Sequence, residues 1–327
     1  MMYVQPVPSP LISPRVGKIV QTGREQIHML ESGSAGADPV VLLHGCGSIA
    51  EEVMMPFSGS GLHIIAPDRP GYGFSAALPV GERGPLGQSF WLERLLEALA
   101  FERVVLAAHS IGCAAALHLA ARRPDLLKGL FLISPCCRPV PFKPLIVLRS
   151  AVAPFVGPVI RQHVIARWSS YFLERGLRTS SHPNPVAAGL FALPAVHVVN
   201  AASIATMAEE LWAFNGDMQP LRSLPADLPV SVLFGREDRI IGPRWHLDWL
   251  HERHPAARVE LLDGIGHMPH HVASDLAVTM LGDLAGKTPG DPAGKTPGDL
   301  ADKTSGDPAG KTLGETGEAS QSTIAVA

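Results

Sequence analysis

Arg103-Val-Val-Leu-Ala-Ala-His-Ser-Ile-Gly-Cys-Ala-Ala-Ala-Leu-His-Leu-Ala-Ala-Arg-Arg-Pro124 carries two opposite local preferences on either side of one serine. Residues 104–108 are uniformly apolar and small or β-branched, as suits a strand buried on both faces of a parallel sheet. Residues 111–123 are rich in Ala and Leu, hold Arg122 and Arg123 in the last turn and stop at Pro124, which predicts a helix. A strand that reverses into a helix this quickly leaves its turn residue strained and projecting from the sheet edge. Only small neighbours fit such a turn, and Ala108 and Gly112 are small. Ser110 is therefore expected at the tip of a nucleophile elbow, with a helix N-terminus beneath it for developing negative charge.

Short Ala-x-Ser-x-Gly strings also arise by chance, so the surroundings must decide. Upstream, residues 39–44 are expected to form an apolar strand that ends in His44-Gly45-Cys46-Gly47-Ser48, where glycines let the backbone turn with its N–H groups exposed. Residues 62–66 are a further strand, followed by the glycine-rich loop Asp68-Arg-Pro-Gly-Tyr-Gly-Phe-Ser75. Residues 16–21 and 26–32 around Thr22-Gly23-Arg24 predict a hairpin. Residues 84–87 look like a linker. Beyond it Trp91, Leu92, Leu95, Leu96 and Leu99 recur at helical spacing. Downstream, residues 129–133, 229–234 and 258–262 are strands, with helices expected over 243–254 and 271–284. Strands alternating with helices predict an α/β fold with a mostly parallel, doubly wound sheet.

The expected division is a leader over 1–15, an α/β core over 16–134 and 225–284, a helical cap inserted over 135–224 and a disordered tail over 285–327. Prolines at 135, 139, 141, 144, 154 and 158 interrupt the insertion, with helical segments expected over 159–173, 186–191 and 195–214. The tail is a degenerate octamer, AGKTPGDP onward, with almost nothing to bury.

The chain has 327 residues, 46% of them hydrophobic and 17% charged, enough apolar material for a sizeable core. Its formal net charge of −3 and lack of a basic run argue against a nucleic-acid groove. No apolar run approaches the roughly 20 residues of a membrane span, and no signal peptide is expected. The four cysteines lack metal-ligand spacing and are read as reduced thiols, which places the chain in the cytoplasm. No cofactor or metal is expected, and the partner is a small-molecule substrate.

In a parallel sheet the strands end along one edge, so Ser110, Asp238 and His267 can meet there despite their separation in sequence. His44-Gly-Cys-Gly47, Asp68 to Ser75, Ala108-His-Ser-Ile-Gly112, Gly235-Arg-Glu-Asp238 and Gly264-Ile-Gly-His267 together resemble the α/β-hydrolase superfamily, over about residues 16–285. The one departure is Ala108 in place of the usual first glycine. The resemblance implies a Ser-Asp-His triad: Ser110 as nucleophile, His267 as its base and Asp238 as partner of the imidazole. It also implies backbone N–H groups of Cys46 and Ile111 as the oxyanion hole. Trp168, Tyr171, Phe172 and Trp212 are expected to line an apolar pocket. His109 is expected to point away from the crevice, His44 to stiffen its loop, and His270 and His271 to stand by partly exposed. Glu237 is the rival to Asp238, while Asp68 and Arg69 are expected to brace loops.

A serine at the elbow implies acyl transfer, where family members that open epoxides or displace halide carry Asp. The leading expectation is hydrolysis of a carboxylic ester with an apolar part. Two others stay open: cleavage of a carbon–carbon bond in a vinylogous diketone acid, for which Arg149, Arg161, Arg167 and Arg175 could hold a carboxylate, and a non-catalytic receptor on the same fold.

Overall fold

The computed structural model describes residues 16–33, 38–140, 153, 157, 167–221 and 223–286. Its frame is one eight-stranded sheet in the order β1-β2-β4-β3-β5-β6-β7-β8. The strands are β1 Lys18–Thr22, β2 Glu25–Ser32, β3 Pro39–Leu43, β4 His63–Pro67, β5 Val104–His109, β6 Leu127–Ile133, β7 Val230–Gly235 and β8 Arg258–Leu262. β1 and β2 are antiparallel to each other and β2 is antiparallel to β4, while every later pairing is parallel. Thr22 and Glu25 are paired, so the hairpin turn is two residues rather than three, with Gly23 at φ 68°.

The apolar strands are buried on both faces by two separate clusters, and alternate residues feed each. Val41, Leu43, Leu106, Ala108, Leu130, Leu132, Val230, Val232 and Phe234 face one cluster with Trp91, Leu95, Leu117 and Trp249. Val40, Leu42, Val105, Ala107, Phe131, Ile133 and Leu233 face the other, with Val53, Phe57, Met280 and Leu281. The continuous apolar runs in the sequence follow from this two-sided burial.

Helices α1 Ala50–Met54, α2 Pro85–Leu99 and α3 Gly112–Arg122 connect the first strands. α2 corrects one expectation, because residues 84–87 are not a linker. Pro85 opens the helix at its first turn, where proline fixes a helical φ and no N–H is missed. Gly87 lies inside the helix, and a Cβ there would collide with the Glu82 backbone.

Between β6 and β7 the described chain is helical: α4 Ser169–Ser181, α5 Ala195–Val198 and α6 Ala201–Met218. The single helix expected over 195–214 is broken at Asn200. Its side-chain oxygen accepts from the N–H groups of Ala202 and Ser203, a capping box that starts α6 afresh. Residues 186–191 prove to be a short 3-10 turn, Ala188–Ala192. The helix expected from 159 falls largely outside the described residues, and α4 begins later and runs further than expected. Leu177, Leu190, Leu193, Val198 and Val199 pack with Ile49 and Met268, so this helical stretch is seated on the loops that follow β3 and β8.

After β7 come α7 Pro243–Arg253, α8 Pro269–Val272 and α9 Ser274–Leu284. The closing helix is thus in two pieces, divided at Ala273. The leader 1–15 and nearly all of the octamer tail lie outside the described residues.

Candidate active site

Ser110 sits between β5 and α3 with φ 55°, a left-handed backbone for a non-glycine residue. Such strain costs about 1–2 kcal/mol and persists only where the surroundings impose it. Here the Ser110 N–H donates to Ile133 O at 2.9 Å, while Ser110 O accepts from Cys113 and Cys136 N–H, both at 3.1 Å. The loop after β3 closes on this turn. A Cβ at Gly112 would lie 2.7 Å from His44 O, and one at Gly45 would lie 3.1 Å from Ser110 Cβ. Close backbone approach therefore requires Gly112 and leaves a side chain at Gly45 little room, and it sets Cys46 and Ile111 on adjoining loops at the serine.

His267 and Asp238 reach the same place from the ends of β8 and β7. Ser110 Oγ is 2.9 Å from His267 Nε2, and His267 Nδ1 is 2.6 Å from Asp238 Oδ2. An ionised carboxylate only accepts, so the ring proton sits on Nδ1 and Nε2 accepts from the serine hydroxyl. Asp238 Oδ1 takes the N–H groups of Ile240 and Ile241 at 2.8 and 3.1 Å, which fixes the carboxylate's orientation. Glu237, the rival, is occupied elsewhere: its Oε2 accepts from Ile265 N–H at 3.1 Å and so ties the β7 loop to the β8 loop. Ser110, His267 and Asp238 are all buried. Such an arrangement can pass the hydroxyl proton to the imidazole while the carboxylate balances the resulting charge.

His44 stiffens its loop as expected, donating from Nδ1 to Gly45 O at 2.8 Å and accepting Arg69 N–H on Nε2, also at 2.8 Å. Asp68 accepts from Ala50 N–H, Phe74 N–H and His28 Nδ1, bracing three segments at once. Burial pushes the Cys46 thiol up to about 12, so it stays protonated and does not compete with Ser110 as a nucleophile.

Three expectations need correction. His270 and His271 are not bystanders: their Nε2 atoms meet Glu52 Oε1 at 3.3 and 2.8 Å, with His270 fully buried and His271 half-buried. His109 does not turn away from the crevice, because its ring packs against His267, with centroids 4.9 Å apart, and Nε2 meets the His267 carbonyl at 3.0 Å. Trp168, Tyr171, Phe172 and Trp212 are 56%, 54%, 41% and 63% exposed, so they do not form an enclosed apolar wall. α4 buries Ser169, Leu177 and Ser181, and its aromatic side chains project to the other side. Of the four, Tyr171 lines a cavity of about 520 Å³, but its companions are polar: Glu174, Arg175, Arg178, Thr179, His182 and Arg239. Of the four arginines expected to hold a carboxylate, Arg149 and Arg161 lie outside the described residues.

Sequence reading missed a buried ion pair. Arg69 Nη1 meets Glu210 Oε1 of α6 and Gln88 Oε1, the latter at 2.6 Å, and Tyr72 donates to Glu210 Oε2 at 2.7 Å. No local pattern could have marked it, since Arg69 and Glu210 are 141 residues apart.

Burial also sets the acid behaviour of three buried histidines. His44, His246 and His270 are each pushed down to about 4 by desolvation. Between pH 6.5 and about 4 the unfolded chain takes up protons that these native imidazoles refuse, so stability falls as pH falls through that window. His28 works in the opposite sense: burial lowers its value, but the Asp68 hydrogen bond raises it on balance. The urea midpoint should drop steadily from pH 6.5 to 4, with net proton uptake on unfolding, and His28 should add a smaller loss as pH rises above 6.5. A midpoint independent of pH across that range would contradict this account.

Comparison with known proteins agrees with the architecture. A 25% identical, uncharacterised protein of Mycobacterium tuberculosis matches over 265 residues, covering 72% of each chain. A 2-hydroxy-6-oxo-6-phenylhexa-2,4-dienoate hydrolase of Comamonas testosteroni is 32% identical over 115 residues, which is 33% of this chain and 40% of that one. The fold superimposes on a thermophilic esterase from Thermogutta terrifontis with a TM-score of 0.62 at 20% identity, covering 82% of this chain and 97% of that one. The model of the alpha/beta hydrolase family matches residues 40–278. With its sheet order, strained elbow serine and that match, the chain belongs to the alpha/beta hydrolase family.

Proposed function

We propose that this protein is a serine hydrolase that cleaves a carboxylic ester through an acyl-enzyme. The observation that carries the reading is the hydrogen-bonded series Ser110–His267–Asp238, at 2.9 and 2.6 Å. In this mechanism His267 Nε2 takes the hydroxyl proton as Ser110 Oγ bonds to the acyl carbon. The N–H groups of Cys46 and Ile111 hold the oxyanion, each worth about 3 kcal/mol to the transition state. Protonated His267 then gives its proton to the departing alcohol. Water, deprotonated by the same nitrogen, attacks the acyl-enzyme and releases the acid and Ser110.

The helical stretch over 169–218 acts as a cap in this reading. An apolar acyl or alcohol part would rest against Ile49 and Met268, which already pack with that stretch, and near Met207, whose sulfur lies 3.9 Å from a Cβ built on Gly47. The absence of a disulfide among Cys46, Cys113, Cys136 and Cys137 suits a reducing, cytoplasmic setting.

A second reading, carbon–carbon bond cleavage of a vinylogous diketone acid, draws on Arg175 and Arg239. Neither guanidinium has a carboxylate partner among the described residues, and both face the 520 Å³ cavity. Turnover of a series of p-nitrophenyl esters, set against a dienoate acid, separates the two. Hydrolysis of the esters with no action on the dienoate supports the leading reading, and the reverse result replaces it. Labelling by a fluorophosphonate excludes a receptor without chemistry; a protein that neither labels nor turns over any of these substrates would refute both enzymatic readings.

A further inference from the structure

Beside His267 lies a buried network that the acyl-transfer mechanism leaves unused. We infer that this network, centred on His109, positions His267 against the loop that carries Cys46; the inference rests on the functional reading above. His109 Nε2–H donates to the His267 carbonyl at 3.0 Å. On its other edge, a Cβ at Gly45 would lie 3.1 Å from His109 Nδ1. One imidazole at the end of β5 thus touches the loops after both β3 and β8, and so sets the spacing between them.

The rest of the network closes the circuit. The His109 ring packs on His270 with centroids 4.5 Å apart. His270 and His271 are hydrogen-bonded to Glu52 Oε1, and Ser48 Oγ–H donates to Glu52 Oε2 at 2.6 Å. Ser48 belongs to the same loop as Gly45 and Cys46. Glu52, His109 and His270 are 2%, 4% and 0% exposed, so water does not compete for these bonds. The need for such bracing is local: His267 follows Gly264 and Gly266, the first at φ 72°, on a loop with little stiffness of its own.

A metal site is the rival use of these side chains, since Glu52, His109 and His270 offer ligand atoms within 4.8 Å of one another. Glu52 is already engaged, its Oε1 by His270 and His271 and its Oε2 by Ser48. Burial and the neighbouring imidazoles keep His109 far below the usual histidine range, so it stays neutral and its N–H remains a fixed donor, not a second base.

The test is made on the full-length protein. His109→Phe keeps a ring of similar size but removes the donor, whereas His109→Gln restores an N–H. With a p-nitrophenyl ester, His109→Phe should lower kcat by about ten- to a hundredfold, the scale of a 1 Å misplacement, while KM stays within about twofold. His109→Gln should recover most of that loss. Ser48→Ala, at the partly buried end of the network, should lower kcat by about tenfold without touching His109. Wild-type turnover in His109→Phe or Ser48→Ala, or an equal loss in the Phe and Gln variants, overturns the inference.

A second readout needs no turnover. The His267 Nδ1–H held by Asp238 should give a low-field proton resonance in the wild type and in His109→Gln, and a lost or displaced one in His109→Phe. The same resonance in all three would overturn the inference. If the wild type hydrolyses no ester, the functional reading fails while this resonance still decides the positioning.

Discussion

On the proposed mechanism, Ser110→Ala is expected to lower kcat for ester hydrolysis by about four to six orders of magnitude, the scale seen when a catalytic serine nucleophile is removed. Binding should survive, because the alanine takes nothing from the walls of the crevice; KM or an inhibitor Kd should change little. The fold should survive as well. The serine N–H and carbonyl, not its hydroxyl, make the contacts to Ile133, Cys113 and Cys136 that hold the turn. The strain itself gives a companion measurement. Ser110→Gly removes the Cβ that makes φ 55° costly, so the inactive glycine variant should be more stable than wild type by about 1 kcal/mol. Retention of hydrolysis by Ser110→Ala would place the chemistry on another side chain.

The largest effect on stability is expected at Glu210. Glu210→Leu leaves Arg69 buried with its main charge partner gone. Arg69 and Glu210 are 0% and 1% exposed, so neither water nor salt can take the partner's place. Breaking a buried pair from one side costs about 3–5 kcal/mol, a large part of the 5–15 kcal/mol that holds a typical domain together. Urea unfolding should show that loss. The double replacement Arg69→Met with Glu210→Leu removes both charges and should recover much of it. Tyr72 and Gln88, which also bond Glu210, would keep the recovery incomplete. A single Glu210→Leu variant as stable as wild type would show that Arg69 finds solvent despite its burial.

Much of the core was legible one element at a time. Residues 104–123 read as a strand, a tight turn and a helix, and that is how they fold, with the helix one residue shorter at each end. The strands ending near His44, Asp68 and Asp238 were legible because burial on both faces leaves unbroken apolar runs. The start of α2 was not, since the loop-like Gly84-Pro-Leu-Gly87 and a helix-opening proline look alike without a neighbour to pack on. The aromatic residues of α4 were misplaced for a related reason. Composition marks Trp168, Tyr171 and Phe172 as apolar, but which side of a helix meets the core depends on what lies beneath it.

The sequence by itself determined the order of strands and helices, the strained seat of Ser110 and which three polar residues stand at strand ends. Those follow from local sterics and from the two-residue alternation of side chains along a strand. Only the tertiary structure decided that Glu52 gathers His270, His271 and Ser48, that His109 bridges two loops, and that Arg69 is neutralised by Glu210. Such partners lie up to 219 residues apart. A polar group's burial is a property of the packed molecule, and no periodicity along the chain records which opposite charge will be waiting there.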